Sequence, residues 1–331
     1  MAMKNVMRAL TLGTGLLVAG LAGLFMGQQA AAQPYPQKQP IRMVVPFAAG
    51  GQTDRAARYV GEHMRQTVGQ TVVVENMPGA NGLIAMREFI RRPNDGYNLL
   101  LTSNTTHSAN PHLYKSLPYD PVKDFTPVAC LMEVPLVLAI RPNLPIRTVD
   151  ELVNFAKANP AKISFGWANS TSQAGVELLR ARKQIDLLPV PYKGMPAVIT
   201  DMLSGHVDLV LTDPSTALGQ LQNGTLRPLA VSSRKRVAMF QNVPTMIDSG
   251  VPDYELIGWL AVFGPAGMAS DLVRTVNGAM VQAIESPGFA KFASETAAIQ
   301  STCSPAELAN LVKTDSDRWN MLVDLAKIEK Q

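Results

Sequence analysis

VVPFAAGGQTDRAARYV, residues 44–60, is the stretch that decides the fold of this 331-residue chain. An apolar run extends through Phe47, two alanines and two glycines follow, and apolar residues then recur at helical spacing. This order predicts a β-strand that turns directly into an α-helix. The first N–H groups of a helix lack intrahelical partners and carry the positive end of its dipole, so the turn is a candidate anion site. A plain tight turn, with Thr53 as the cap and Asp54 in the first helical turn, fits the same residues.

The same alternation continues along the chain. Short apolar stretches such as TVVVEN at 71–76, NLLLTS at 98–103 and VDLVLTD at 207–213 are separated by longer segments of helical period. This pattern predicts an α/β protein built on mostly parallel sheets with helices on their faces.

Two long apolar segments, near 130–140 and 256–264, are long enough to pass from one folding unit to another. They predict a first domain formed by residues 33–137 and 257–331 and a second formed by residues 138–256. Because the chain crosses twice, we expect the two domains to hinge. Ligands of open α/β sheets bind beyond the carboxyl ends of the strands, so we expect a ligand cleft between the domains.

The amino-terminal segment has the form of a secretory signal peptide. Lys4 and Arg8 precede an uncharged apolar run at 9–27, and small residues lead to a cleavage site after Ala32. We therefore expect residues 1–32 to be a cleavable signal and the mature protein to be periplasmic. An uncleaved anchor is the alternative, since the apolar run is long for a signal. Removing residues 1–32 lowers the formal net charge from +4 to +2, which gives no support for a nucleic-acid partner.

Cysteine and histidine give no sign of metal chemistry. Cys130 and Cys303 are the two cysteines, and in an exported protein they either pair or remain as two buried thiols. The histidines lack the spacing of a metal site, so we expect none; they are His63, His107, His112 and His206.

Several longer motifs resemble one family. VPFAAGGQTD at 45–54, VVVENMPGANG at 72–82, YDPVKDF at 119–125, VPYKG at 190–194 and LRPLAVSS at 226–233 are similar to those of the Bug-type receptors. These are the extracytoplasmic solute-binding proteins of tripartite tricarboxylate transporters. The resemblance implies a two-domain, type II-like periplasmic-binding-protein fold that closes on a small organic carboxylate. It also implies a monomer that needs no cofactor, catalyses no reaction and delivers its ligand to membrane permease subunits.

The resemblance also implies which residues meet the ligand. They lie in four Gly-rich or polar turns, two in each predicted domain, and at the end of one later strand. From the first domain they are Phe47, Gly50, Gly51, Gln52, Thr53, Asp54, Ser103, Asn104, Thr105, Thr106 and His107. From the second domain they are Trp167, Asn169, Ser170, Thr171, Ser172, Gln173, Tyr192, Lys193, Gly194 and Asp213.

Four of these residues have simpler structural interpretations. Asp54 suits the first turn of a helix, Asp213 can organise the turn at Pro214, Trp167 suits core packing, and Lys193 can point to solvent.

Two other functions are compatible with a two-domain cleft. A sensor that presents its closed form to a signalling partner has the same sequence features as a transport receptor. An enzyme acting on a carboxylic acid derivative would use His107 beside Ser103, but the pair lacks a positioned acid. The sequence also has no G-x-S-x-G elbow, P-loop or dinucleotide fingerprint.

Overall fold

The computed structural model describes residues 35–36 and 39–330, so the predicted signal peptide lies outside the described residues. Eleven strands in this part of the chain form two sheets. In chain order they are β1 Ile41–Val45, β2 Val72–Asn76, β3 Asn98–Ser103, β4 Phe125–Pro135, β5 Val137–Ile140, β6 Ser164–Trp167, β7 Leu188–Pro191, β8 Leu209–Thr212, β9 Arg227–Val231, β10 Ile257–Pro265 and β11 Ile299–Gln300.

Helices follow most of these strands. They are α1 Gln52–Val68, α2 Leu83–Phe89, α3 Asn110–Leu113, α4 Val149–Ala158, α5 Ser170–Lys183, α6 Met195–Leu203, α7 Leu218–Gln222, α8 Ser270–Ile284, α9 Pro287–Glu295 and α10 Pro305–Ala326. Short 3₁₀ turns lie at Ala80–Gly82, Pro214–Ala217 and Ala238–Phe240, and a π-helical turn lies at Thr105–Ala109. None of the described helices combines the length and the hydropathy that a membrane span requires.

The two sheets come from different parts of the chain. One has the order β11-β4-β10-β3-β1-β2 and the other the order β7-β6-β8-β5-β9. β1 pairs in parallel with β2 and β3, and β6 pairs in parallel with β7 and β8. β10 runs antiparallel to β3 and β4, and β5 runs antiparallel to β8 and β9. The α/β class is therefore confirmed, with sheets that are mixed rather than mostly parallel.

Two adjacent segments connect the sheets. The chain first passes from β4 to β5 through Leu136, and later returns to β10 through Leu256. Ser232 joins the two crossings: its hydroxyl accepts from the Leu136 N–H at 2.8 Å and donates to the Leu256 carbonyl at 2.5 Å. Its own N–H donates to the Leu136 carbonyl at 2.8 Å. The proposed domain boundaries at 137–138 and 256–257 lie at these crossings and stay a prediction.

Each sheet packs against its own helices. In the six-stranded sheet, Val44 of β1 and Leu100 of β3 pack with Phe89 of α2, Phe263 of β10 and Leu308 of α10, all almost completely buried. A separate cluster lies on the five-stranded sheet and includes residues of β5, α6 and β8. Burial of large apolar side chains stabilises each half by about 1.5–3 kcal/mol per side chain.

The two cysteines form a disulfide, which resolves the alternatives that the sequence leaves open. Cys130 lies on β4 and Cys303 lies between β11 and α10, 173 residues later in the chain. The bond ties the segment before the carboxy-terminal helix to the six-stranded sheet.

Candidate functional site

A cavity lies between the two sheets, at the ends of the first strands. It has a volume of about 730 Å³, which includes its mouth to solvent. Its walls come from the β1–α1 turn, the end of β3, the N-termini of α5 and α6, and the end of β8. β10 and the β4–β5 crossing form its floor, because Val134, Leu136, Gly258, Trp259 and Leu260 line it.

The β1–α1 turn presents an open helix N-terminus to the cavity. Gly51 is the N-cap and, as a glycine, supplies no side-chain cap, so the first N–H groups of α1 stay available. Gly50 has φ +81°, a left-handed conformation that favours glycine. The Gly50 N–H donates to the Asp54 carboxylate at 3.0 Å, and Arg58 pairs with the same carboxylate. Asp54 is thus engaged within the turn.

These contacts determine the ionisation of Asp54. Burial opposes the charged form, but hydrogen bonds from Arg58 and from the Gly50 N–H outweigh it and hold the pKa of Asp54 below its usual value.

Two further helix N-termini face the cavity from the other sheet. Asn169 caps α5 by accepting from the Ser172 N–H at 2.9 Å, and the Ser172 hydroxyl accepts from the Asn169 N–H at 3.4 Å, which completes a capping box. Gly194 caps α6 with an extended backbone at φ −169° and, like Gly51, has no side chain to occupy the first N–H groups. All three caps line the cavity.

The electrostatic field in the cavity favours an anion. Each helix N-terminus carries about half a positive charge, and α1, α5 and α6 direct theirs to one space. The charged side chains among the described lining residues are Lys193, which is exposed, and Asp213. The Asp213 carboxylate accepts from the Thr216 N–H at 2.9 Å and from the Ser215 hydroxyl at 2.7 Å, so it caps its own turn.

The two halves of the site are in contact. The Thr171 hydroxyl lies 3.3 Å from both the Thr105 hydroxyl and Oδ1 of Asn104. Beside the cavity, the Ser170 hydroxyl donates to Oδ1 of Asn110 at 2.8 Å. A Cβ added to Gly194 would lie only 2.6 Å from the Cβ of Ala48. The half with the six-stranded sheet and the half with the five-stranded sheet are therefore in contact beside the cavity, in a closed arrangement.

Most of the residues predicted from the sequence line this one cavity. They are Phe47, Gly51, Gln52, Thr53, Ser103, Asn104, Thr105, Asn169, Thr171, Ser172, Lys193, Gly194 and Asp213. Their contact with a ligand stays a prediction. The other predicted residues do not line it: Gly50, Asp54, Thr106, His107, Trp167, Ser170, Gln173 and Tyr192.

The π-helical turn accounts for two of the residues that lie off the cavity. The Thr106 hydroxyl bonds to that of Thr102 at 2.8 Å, and His107 is completely buried with its ring stacked on Phe263 at 3.9 Å. Nδ1 of His107 bonds to the Thr106 hydroxyl at 2.9 Å. Burial lowers the pKa of His107 to about 3, so the ring is neutral at ordinary pH. Both side chains are part of the core.

Most of the remaining residues off the cavity have hydrogen-bond partners in the structure. The Tyr192 hydroxyl donates to Asp201 at 2.7 Å, and the Gln173 N–H donates to the Asn169 carbonyl at 3.1 Å. Ser170 bonds across to Asn110, and Gly50 bonds to Asp54 as described above. Trp167 ends β6 and is half-buried.

The floor of the cavity was missed by sequence reasoning. Trp259 of β10 lines it, and its Nε1 donates to the buried carboxylate of Asp315 on α10 at 2.8 Å. Burial raises the pKa of Asp315 above its usual value, although hydrogen bonds from Trp259 and Ser108 oppose this rise. The sequence feature that could have indicated this floor is the apolar crossing segment at 256–264. A segment that passes from one sheet to the other must also pass the cleft between them.

A comparison with models of protein families shows to which family the chain belongs. The model of the tripartite tricarboxylate transporter family receptor matches residues 56–328. The chain belongs to this family.

Two similar proteins match nearly the whole chain. Protein BugT of Bordetella pertussis is 32% identical over 319 residues, which cover 95% of this chain and 96% of that protein. A protein encoded in the tcbD-tcbE intergenic region of Pseudomonas sp. strain P51 is 30% identical over 318 residues, 94% of each chain.

Solved structures show the same fold. The periplasmic binding protein BugD is 34% identical with a TM-score of 0.85, over 89% of this chain and 99% of that one. An R. palustris protein solved with adipate is 30% identical with a TM-score of 0.87, over 90% and 100% of the two chains. MatC from Rhodopseudomonas palustris, solved with bound malate, is 29% identical with a TM-score of 0.82, over 87% and 99%.

These comparisons confirm several predictions. The fold is the two-domain α/β fold of periplasmic binding proteins, and this member of the receptor family is a solute-binding protein rather than an enzyme. The geometry of His107 agrees, because a neutral ring buried against Phe263 is not in a position to act as the base of a cleft enzyme.

Proposed function

We propose that this receptor captures a small organic carboxylate between two hinged domains and delivers it to the membrane permease subunits of a tripartite tricarboxylate-type transporter. The observation that carries the proposal is the convergence of three helix N-termini on one cavity, where Asp213, the one carboxylate among the described lining residues, is already occupied as a cap. An anion is the charge that such a space accommodates best.

The ligand is expected to make its contacts in two steps. Its carboxylate first meets the open N–H groups of α1 and the hydroxyls at the end of β3. Closure then brings the N-termini of α5 and α6 onto the other side of the molecule. A ligand drives closure only through contacts that are better in the closed state, and here those contacts come from the second sheet.

Export and delivery complete the proposal. The signal at 1–32 would place the mature chain, a monomer, in the periplasm, and the adipate and malate bound by two similar proteins support a carboxylate as cargo. The permease partner is inferred from the family.

Thermal unfolding of residues 33–331 tests the function directly. The protein is first freed of ligand by unfolding and refolding, and mono-, di- and tricarboxylates, aromatic acids and amino acids are then added singly. A true ligand at 100 times its Kd stabilises the protein by about 2.7 kcal/mol. A rise in Tm with one acid class supports the proposal. An unchanged Tm across every acid would contradict it.

A further inference from the structure

One arginine side chain of α1 reaches from one half of the structure to the other. Nη1 of Arg55, the fourth residue of α1, donates to the main-chain carbonyl of Ser215 at 2.8 Å. α1 follows β1 of the six-stranded sheet, whereas Ser215 lies in the 3₁₀ turn that follows β8 of the five-stranded sheet. A hydrogen bond requires about 2.7–3.2 Å between its heavy atoms, so separation of the two halves at this point breaks it.

The carbonyl that Arg55 meets belongs to a wall of the cavity. The Asp213 carboxylate accepts from the Ser215 hydroxyl at 2.7 Å and from the Thr216 hydroxyl at 2.8 Å, which holds the turn in its conformation. Asp213 and Thr216 line the cavity, and Ser215 is 3% exposed. The hydrogen bond therefore attaches this wall to the helix whose N-terminus forms the opposite wall.

The Arg55 contact lies farther from the crossing segments than the hydroxyl contacts that follow β3. β10 continues from the second crossing, β3 is next to it, and β1 is one strand farther, about 10 Å from β10. Thr105, which contacts Thr171, follows β3, whereas Arg55 is in the helix that follows β1. In a rotation about the crossings, displacement increases with distance from them. Opening therefore separates Arg55 from Ser215 by more than it separates Thr105 from Thr171.

We propose that Arg55 is a latch residue, whose hydrogen bond to the Ser215 carbonyl holds the receptor closed and slows release of the bound acid. The inference rests on the proposed function, since it concerns closure over the same cavity. Arg55 is not among the described residues that line the cavity, so it acts on the acid through the closed state rather than by contact.

The kinetics of binding distinguish a latch from a simple attraction of charge. A contact made only in the closed state increases the closed fraction, and a bound acid leaves through the open state, so loss of the contact raises koff. Association begins with the open protein, so kon stays close to that of the wild type. Loss of a positive charge that only attracted the anion would instead lower kon, and more so at low salt.

Stopped-flow measurements on Arg55→Met test the latch. Malate and adipate are the first probes, and the acid of the panel that raises Tm most replaces them if neither raises it. The intrinsic tryptophan fluorescence provides the signal, since Trp259 lines the cavity. Methionine is unbranched and has no donor, so koff should rise by about 5- to 30-fold, the effect of losing a partly exposed hydrogen bond from a charged group.

Arg65→Met is the matched control. Arg65 is on the same helix and carries the same charge, but it is exposed and bonds to Glu62 within α1. This variant should keep the koff and kon of the wild type. Arg55→Ala also removes the donor and suits a helix, so it takes the place of Arg55→Met if that variant does not fold.

The outcomes separate the latch from the proposed function. An unchanged koff in the Arg55 variant, or a rise in Kd that lies wholly in kon, would overturn the latch while the receptor function stands. If no acid of the panel raises the Tm of the wild type, the proposed function fails, and small-angle scattering of the acid-free proteins then decides. A larger radius of gyration for the Arg55 variant than for Arg65→Met supports the latch, and equal radii overturn it.

Discussion

Replacement of Gly194 by alanine should weaken ligand binding by blocking closure. The added Cβ would lie 2.6 Å from the Cβ of Ala48 on the opposite side of the cavity, whereas carbon atoms in contact stand about 3.5–4.0 Å apart. The two halves must therefore separate by about 1 Å. Overpacking of this kind costs about 1–3 kcal/mol, which corresponds to a roughly 5- to 150-fold rise in Kd. The backbone at Gly194 is extended, so alanine adds no strain of its own.

The assay combines calorimetry with small-angle scattering, using the acid that gives the largest rise in Tm. With that acid bound, Gly194→Ala should have a larger radius of gyration than the wild type as well as a higher Kd. Gly278→Ala is the control, because a Cβ there meets nothing within 4 Å and α8 gains about 0.5–1 kcal/mol from the replacement. An unchanged Kd and scattering profile for Gly194→Ala would refute the reasoning.

Three further predictions concern stability. The double replacement Cys130→Ala/Cys303→Ala should lower the free energy of unfolding by about 2–5 kcal/mol, as measured by denaturant titration. An unchanged denaturation midpoint would mean that the disulfide does not constrain the chain. Ser232→Ala should cost about 1–3 kcal/mol because it leaves buried polar groups of both crossing segments unpaired, whereas exposed Ser204→Ala should have little effect. The pKa of His107 is about 3 in the folded protein and 6.5 ordinarily, so unfolding takes up a proton below pH 6.5 and stability falls from there towards pH 3. His107→Gln should make that decline shallower in pH-dependent melts, and an equally steep decline would assign it to other groups.

The strands and helices could be predicted because local signals agreed with the fold. The stretch at 44–60 contains the end of β1, the glycine turn and the start of α1, as expected, although Gly51 rather than Thr53 is the N-cap. The sequence of a capping box, Ser304 to Glu307, begins α10, where Ser304 accepts from the Glu307 N–H. The crossings at 130–140 and 256–264 were also recognised from their length. The spacing of apolar residues and the residues that cap a helix act over only a few positions, so they can be recognised in a single sequence.

The polar run at 103–110 was harder to interpret. Its composition is typical of an exposed turn, yet Thr106 and His107 are buried because neighbouring hydroxyls and an aromatic ring satisfy them. Those partners come from the fold rather than from the local sequence.

The candidate site was predictable in its rim and not in its floor. The rim consists of turns at strand ends, which glycines and hydroxyl residues mark in the sequence. The floor consists of β10 and the β4–β5 crossing; Gly258 and Trp259 of β10 are part of a continuous apolar strand, and nothing in their local sequence distinguishes them from core residues. The pairing of Cys130 with Cys303 likewise depends on a contact between residues far apart in the chain.

The central claim is that a carboxylate binds between the two sheets at the helix N-termini. A crystal structure of the refolded protein with the acid that raises Tm most would test it directly. We expect the carboxylate in the cavity, with an oxygen about 2.7–3.2 Å from a main-chain N–H at the start of α1 or joined to it through one water molecule. An acid bound outside the cavity, or one whose carboxylate points away from all three helix N-termini, would contradict the account.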